Sequence, residues 1–407
     1  MKGADMNGMR RLSPEGMWSV HSYYTLCPYA PDGSGRILLS GADLDEQKTY
    51  VYIVSAEGRV LARFGEGRPD TNFYHTGSWQ TWSPDAKYVY YQGGDMKTPR
   101  ICRYEVATGE TVAMEGDMEG APPTGEPIIS GFLGMLYAAG YGDGRYHPEN
   151  APIPFAARDA HGLFRFSVKD GTRELALSVD QILAMHPERD KILAAEQKFI
   201  EETGSCEGFT LMAYCVRWSP TSDRCLFYFG NHCVDKRRGE PKLSYVFTAK
   251  HDLTDIHFAV DMSFDRTGVH WGWHPDGEHL IGYASHPDNG GKMCLCSVRY
   301  DGSDFRMISH HASGGHPSIS PIDYNLLVTD EATAPGRVVF IDLETDTEVG
   351  DYVLPRTYGD KIPAGRNPQK ICHHPIFSPD GKKIVVNVLP DRNSVVFELD
   401  AIERKSL

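Results

Sequence analysis

One short unit recurs along this 407-residue sequence and limits what the chain can fold into. It consists of an aromatic or apolar residue, Ser or His, Pro, a polar turn and then a β-rich run. Copies are Trp82-Ser83-Pro84-Asp85 before KYVYYQ, Trp218-Ser219-Pro220 before DRCLFYFG, and Trp273-His274-Pro275-Asp276-Gly277 before EHLIGYAS. Ile319-Ser320-Pro321 precedes YNLLVTD, Phe377-Ser378-Pro379-Asp380-Gly381 precedes KKIVVNV, and Ala30-Pro31-Asp32-Gly33 is a weaker copy. Proline sets φ, Asp-Gly makes a tight turn, and the alternating run forms an inner strand. Stretches between copies, such as TYVYIVSAEGRVLARF and GRVVFIDLETDTEV, read as hairpins, giving about four strands per unit. From Trp218 onward the copies recur roughly every 45–60 residues, the length of a propeller blade. The pattern predicts an all-β protein, a seven-bladed β-propeller spanning residues 1–407 as a single domain. Six or eight blades fit the spacing less well.

The interval from Trp82 to Trp218 is long enough for one degenerate blade plus an insertion. Residues 137–205 are expected to carry that loop/helix insertion. Ser178 to Gly204 is the only long helical pattern, with Pro187 expected to interrupt it. An aromatic, Gly/Pro-rich loop precedes it, and long loops on rigid scaffolds are where sites tend to be built.

A formal net charge of −14 argues against nucleic acid or an anionic membrane as the main partner. It leaves open a small anionic substrate in a locally basic pocket. The first residues contain no apolar signal region, no run reaches membrane-span length, and nine cysteines lack framework spacing. The expectation is a cytoplasmic protein with reduced thiols.

Histidines gather at the repeat turns. His270 and His274 bracket Trp273, His316 precedes Pro317, and Gln369, Cys372, His373 and His374 precede the last unit. Equivalent positions on successive blades converge at the central channel. His270, His316, Gln369, Cys372 and His374 therefore form a candidate set for Zn²⁺ or a related divalent ion. The alternative is that these histidines only hydrogen-bond between blades. Cys294 and Cys296 read as core. A second group comprises His75, His232 beside Lys236, Arg237 and Arg238, and Tyr141 and Arg158 in the long loop. His232 in that basic setting suits a residue facing an anionic ligand. Tyr74, Trp79 and Tyr146 are candidates for stacking on a sugar.

Three of these elements resemble the oligogalacturonate lyase family. WSPTSDRCLFYFGNH resembles the strand ending in the family's catalytic histidine, at His232; HWGWHPDG resembles its His-x-x-Trp turn, at His270. QKICHHPIFSPDG resembles its Gln-x-x-His-x-His-Pro element, with Cys372 where the pattern has histidine. The likeness runs from about Thr210 to the C-terminus. It implies β-elimination at a 4-linked uronate in an oligosaccharide or polysaccharide, yielding a 4,5-unsaturated sugar, with Mn²⁺ or Zn²⁺ as cofactor. In that scheme His232 is the base at C5. The ion at His270, His316, Cys372 and His374, assisted by Gln369, or else Arg158, neutralises the carboxylate, and Tyr141 or His75 protonates the leaving O4. At that departure either His373 takes the missing histidine's place or Cys372 favours the softer Zn²⁺ over Mn²⁺. His75, Tyr141 and Arg158 also resemble residues of ulvan lyases, in which case the metal is structural. A non-catalytic binding propeller of the TolB type is the competing class.

Overall fold

The computed structural model describes residues 9–404 except 70–72, 96–97, 132–152, 232–238, 332–335, 360 and 363–365. Seven antiparallel sheets follow one another along the chain, and the protein is a seven-bladed β-propeller. The innermost strands, in order, are Trp18–Val20, Thr81–Trp82, Ile128–Gly131, Met212–Trp218, Gly268–Trp273, Ser318–Ile319 and Ile376–Phe377. Six sheets have four strands; the third has three among the described residues.

Successive residues in a strand face opposite sides of the sheet, so each blade packs on both neighbours at once. Val385 and Val396 of the seventh blade pack with Leu39 and Tyr52 of the first. Their chain neighbours Val386 and Phe397 pack with Val328 and Phe340 of the sixth. Ile384, Val385 and Val386 in KIVVNV are consecutive apolar residues, all buried, because both faces of the strand are covered. Closure comes from the N-terminus: Arg10–Arg11 pairs with Val395–Asp400, registering Arg10 with Glu398 and Arg11 with Phe397.

The repeat turns share one chemistry. Gly277 N–H donates to the His274 carbonyl at 3.0 Å and Gly381 N–H to that of Ser378 at 2.9 Å. Both glycines have left-handed φ, +73° and +69°. Ala86 takes this conformation in the second blade at φ +54°. A Cβ on Gly381 would lie 2.4 Å from Ile322 Cγ1, a side chain that is 65 % exposed and free to move. Gly381→Ala is therefore expected to cost about 1–2 kcal/mol, mainly from the left-handed backbone, read as a lower melting temperature with the fold intact.

Within residues 137–205, Gly162–Ser167 and Thr172–Ser178 are strands of the third blade, paired with Ile128–Gly131. They belong to the degenerate blade expected between Trp82 and Trp218, so the helical part of 137–205 among the described residues is confined to 179–203. Among the described residues, three α-helices interrupt the strands: α1 (Phe73–Thr76), α2 (Val179–Met185) and α3 (Arg189–Thr203). Ser178 caps α2 through a capping box with Gln181, and Gly204 ends α3 in the left-handed conformation. Pro187 falls between them, as the pattern predicts. Ile192 and Phe199 of α3 bury against the fourth blade in a cluster with Phe209, Phe227 and Tyr245.

Candidate functional site

The third residue before each unit's aromatic or apolar position is Trp79, Cys215, His270, His316 or His374. Four of these five have left-handed φ: Trp79 +53°, Cys215 +53°, His270 +57° and His374 +48°. At Cys215 and His270 the pairing register of the innermost strand also skips, a β-bulge. A bulge breaks the alternation of side chains and re-aims one residue. Non-glycine residues held in this conformation mark strained, functional positions. The repeat thus aims successive histidines at a common point.

His270 and His316 have ring centroids 4.1 Å apart, and His316 and His374 4.2 Å apart. His75, delivered by α1 between the first and second blades, lies 4.8 Å from His374 and 6.2 Å from His316. Donor atoms of His75, Cys372 and His374 all fall within 4.8 Å of one another. Five residues from four separate segments of the chain are thereby gathered in one cluster.

The rings are oriented by what lies behind them. His270 Nδ1–H donates to the carbonyls of Gly314 and Gly315 at 3.0 and 2.8 Å. His316 Nδ1–H donates to Asp330 Oδ1 at 2.9 Å, and His374 Nδ1–H to the Ser22 carbonyl at 3.0 Å. Their protons being held at Nδ1, each ring keeps a lone pair on Nε2. Nε2 of His316 and of His374 are buried without a hydrogen-bond partner. An imidazole anchored through one nitrogen with the other left open is the arrangement of a metal ligand. With the Cys372 thiol beside them, these residues fit a divalent ion.

Asp330, which no repeat flags, ties this arrangement together. Its carboxylate accepts from the His316 backbone N–H (2.8 Å), the His316 ring, the His373 N–H (3.0 Å) and the His374 N–H (3.3 Å). Burial by itself would raise its pKa, but His316, His373 and these donors overcome that and hold it well below the carboxylate range. The available signal is an acid following the apolar residues Leu326, Leu327 and Val328 within the strand Leu326–Glu331. Asn387 pins the other side, accepting from the His21 N–H at 3.0 Å and donating to the Cys372 carbonyl at 3.2 Å.

Tyr23 and Tyr24 line the cluster from inside the channel. The Tyr23 ring lies 4.8 Å from His374 and 5.9 Å from His75; Tyr24 lies 5.1 Å from His316. Behind them Arg217 donates to the Tyr24 hydroxyl at 2.9 Å, the Tyr23 hydroxyl at 3.3 Å and the Trp271 carbonyl. Trp79 packs behind Tyr23 at 5.5 Å and is buried, and Tyr74 packs edge-on against Trp18. Neither is an open platform for a sugar.

Burial lowers the pKa of His75, His270 and His374 well below the ordinary value. Nearby positive charge adds to this: Arg366 acts on His75 after burial, and Arg217 on His270 after His316. Burial pushes the Cys372 thiol up to about 11 against the opposing pull of Arg356, Arg366 and Lys370. The surroundings are locally basic in a chain whose net charge is −14.

The remaining sequence candidates lie elsewhere. His373 turns away: its Nδ1–H donates to the Asn387 carbonyl at 2.7 Å and its Nε2 lies beside Gly336. Gln369 is partly buried with its side-chain amide next to Gly359. Arg158 is paired with Glu196 of α3 and donates to the Phe209 carbonyl at 3.0 Å, so facing a substrate would require opening that ion pair. Cys294 and Cys296 are buried core residues, as expected. His232, Tyr141 and Tyr146 lie outside the described residues.

No known family profile matches the sequence, and no curated protein matches it. In structure the chain is similar to an oligogalacturonate lyase from Vibrio parahaemolyticus, with a TM-score of 0.63, 13 % identity, and 98 % of this chain and 95 % of that one covered. It is also similar to an oligogalacturonate lyase in complex with manganese, with a TM-score of 0.66, 17 % identity, and 99 % and 96 % covered. A prolyl endopeptidase structure aligns at a TM-score of 0.52 and 9 % identity, covering 96 % of this chain but 51 % of that one. At these identities the likeness is one of fold, and in fold this chain is a seven-bladed propeller similar to the oligogalacturonate lyases.

Proposed function

We propose that the protein is a metal-assisted lyase that cleaves 4-linked uronates in oligosaccharides by β-elimination. The observation that carries this is the channel cluster of His270, His316 and His374, with His75 and Cys372 beside it. The C5 proton of a uronate is a weak acid because the adjacent carboxylate already carries charge. A divalent ion bound there would neutralise that carboxylate as negative charge builds up. The chain's own cations add positive charge there: Arg366 is the strongest charge acting on His75, and Arg217 also acts on His270.

The family resemblance assigns proton abstraction to His232 and proton delivery at O4 to Tyr141. His75, the other candidate acid, is kept neutral by burial and therefore suits an acceptor or ligand role, not proton donation at neutral pH. Asp330 orients His316 without touching substrate. Asp330→Asn is expected to lower divalent-ion affinity about 10–100-fold, measured by titration of the metal-stripped protein, with the fold retained.

Incubation with galacturonate oligomers and with rhamnose–glucuronate glycans in the presence of Mn²⁺ or Zn²⁺ tests the reading. Ultraviolet absorbance of the conjugated unsaturated product should rise on one substrate class. No rise on either, with metal bound, would favour a binding propeller.

A further inference from the structure

We infer that the ion site is a thiolate site: Cys372 Sγ, His374 Nε2 and a nitrogen of His75 hold a borderline-soft divalent ion of the Zn²⁺ class. This rests on the reading of the channel cluster as an ion site and concerns what kind of ion it takes. Three independent features lead there. The donor atoms of these three residues all lie within 4.8 Å of one another. His374 is fully buried, anchored through Nδ1 to Ser22, and its Nε2 has no hydrogen-bond partner. Cys372 is held on the same short segment, with its carbonyl bound by the Asn387 amide at 3.2 Å, while His373 between them turns away to the Asn387 carbonyl.

The chemistry follows from the donors. A thiolate is a soft ligand that strengthens binding of Zn²⁺, Co²⁺ and Cd²⁺ far more than that of the harder Mn²⁺. On binding, the Sγ–H bond breaks, the proton leaves to the buffer and the sulfur–metal bond forms; no electrons are transferred. His75 is the part of the set that no repeat unit supplies. It comes from α1, so the ion would bridge the start of the propeller to its last blade and fasten the two ends of the chain's circuit.

The test uses the full chain stripped with chelator and reloaded with Co²⁺ as a spectroscopic stand-in. The expected result is a near-ultraviolet sulfur-to-cobalt charge-transfer band that Zn²⁺ abolishes by displacement. Cys372→Ser should remove the band and lower Zn²⁺ affinity at least about tenfold while changing Mn²⁺ affinity by less than about threefold. Cys372→His should keep ion binding, lose the band and narrow the ratio of Zn²⁺ to Mn²⁺ affinity, which guards against a variant that merely misfolds. His75→Ala should weaken Co²⁺ binding about tenfold and leave the band in place. A band that survives Cys372→Ser, a Zn²⁺ to Mn²⁺ ratio unmoved by either cysteine variant, or unchanged Co²⁺ affinity in His75→Ala overturns the assignment. The band without uronate cleavage supports the thiolate site and counts against the lyase reading; cleavage without the band does the reverse.

Discussion

His374→Ala is expected to lower kcat/KM on a uronate substrate about 10³-fold, on the order of 4 kcal/mol of transition-state stabilisation. His374 sits at the centre of the cluster, with ring centroids 4.2 Å from His316 and 4.8 Å from His75. Its Nδ1 bond to Ser22 joins the seventh blade to the first, and its Nε2 is buried with no hydrogen-bond partner. Alanine removes one donor and frees the ring's neighbours to shift. The structural loss, one hydrogen bond and a small cavity, is expected to be about 2–3 kcal/mol, so the variant should melt cooperatively at a lower temperature. His373→Ala provides the contrast. Its ring faces Gly336 and the Asn387 carbonyl, so activity should stay within about tenfold of the parent. Equal losses at both positions, measured by steady-state kinetics, would show that the segment acts through stability alone.

The metal-stripped protein is expected to unfold in acid between about pH 6.5 and pH 4, above the range in which carboxylates titrate. Burial lowers the pKa of His21 to about 4 and holds those of His75, His270 and His374 well below the ordinary histidine value. A histidine whose folded pKa is depressed stays neutral in the native state while the unfolded chain takes up a proton. Its stabilisation is therefore complete above the unfolded pKa and is lost as pH falls toward the folded one. For His21 that amounts to about 3 kcal/mol, at about 1.4 kcal/mol per pH unit. His75, His270 and His374 add to this with the same sign, as does His186, which burial also lowers to about 4. Glu119 opposes them: burial raises its pKa to about 7, so its contribution falls with rising pH from 4.5 and cancels about one histidine's share. Circular dichroism against pH, with and without Zn²⁺, checks this. The ion binds only the neutral rings, so it should move the midpoint to lower pH until proton competition releases it. A midpoint below pH 4 without metal would show that the buried histidines do not control acid stability.

Much of the architecture is legible in the sequence. Trp218-Ser219-Pro220 and its counterparts encode a turn and an inner strand locally, through proline's φ and the left-handed residue at Gly277 or Gly381. The helical pair was equally readable, because Ser178 and Gly204 are caps and Pro187 is a break. Propeller topology then brought His270, His316 and His374 together, since one position in each repeat unit faces the channel. His75 needed α1 to bring it in from outside any repeat, and its short approach to His374 has no local signal.

Other features depended on which neighbour a side chain meets. Adjacent residues Cys372, His373 and His374 look interchangeable as ligands in one dimension. In three dimensions His373 is drawn to Asn387 and Gly336, while Cys372 and His374 join His75. Arg158 reads as a carboxylate partner until Glu196 of α3 is found already paired with it. Asp330 and the Tyr23–Tyr24 lining carry no motif because their roles are contacts across blades distant in sequence. Local turn and strand preferences that repeat in register are enough to specify the seven-bladed scaffold and the residue types at the channel. Which of those residues meet is set in three dimensions, because a left-handed residue or bulge and a buried carboxylate fix each ring's direction, and neither is encoded in spacing.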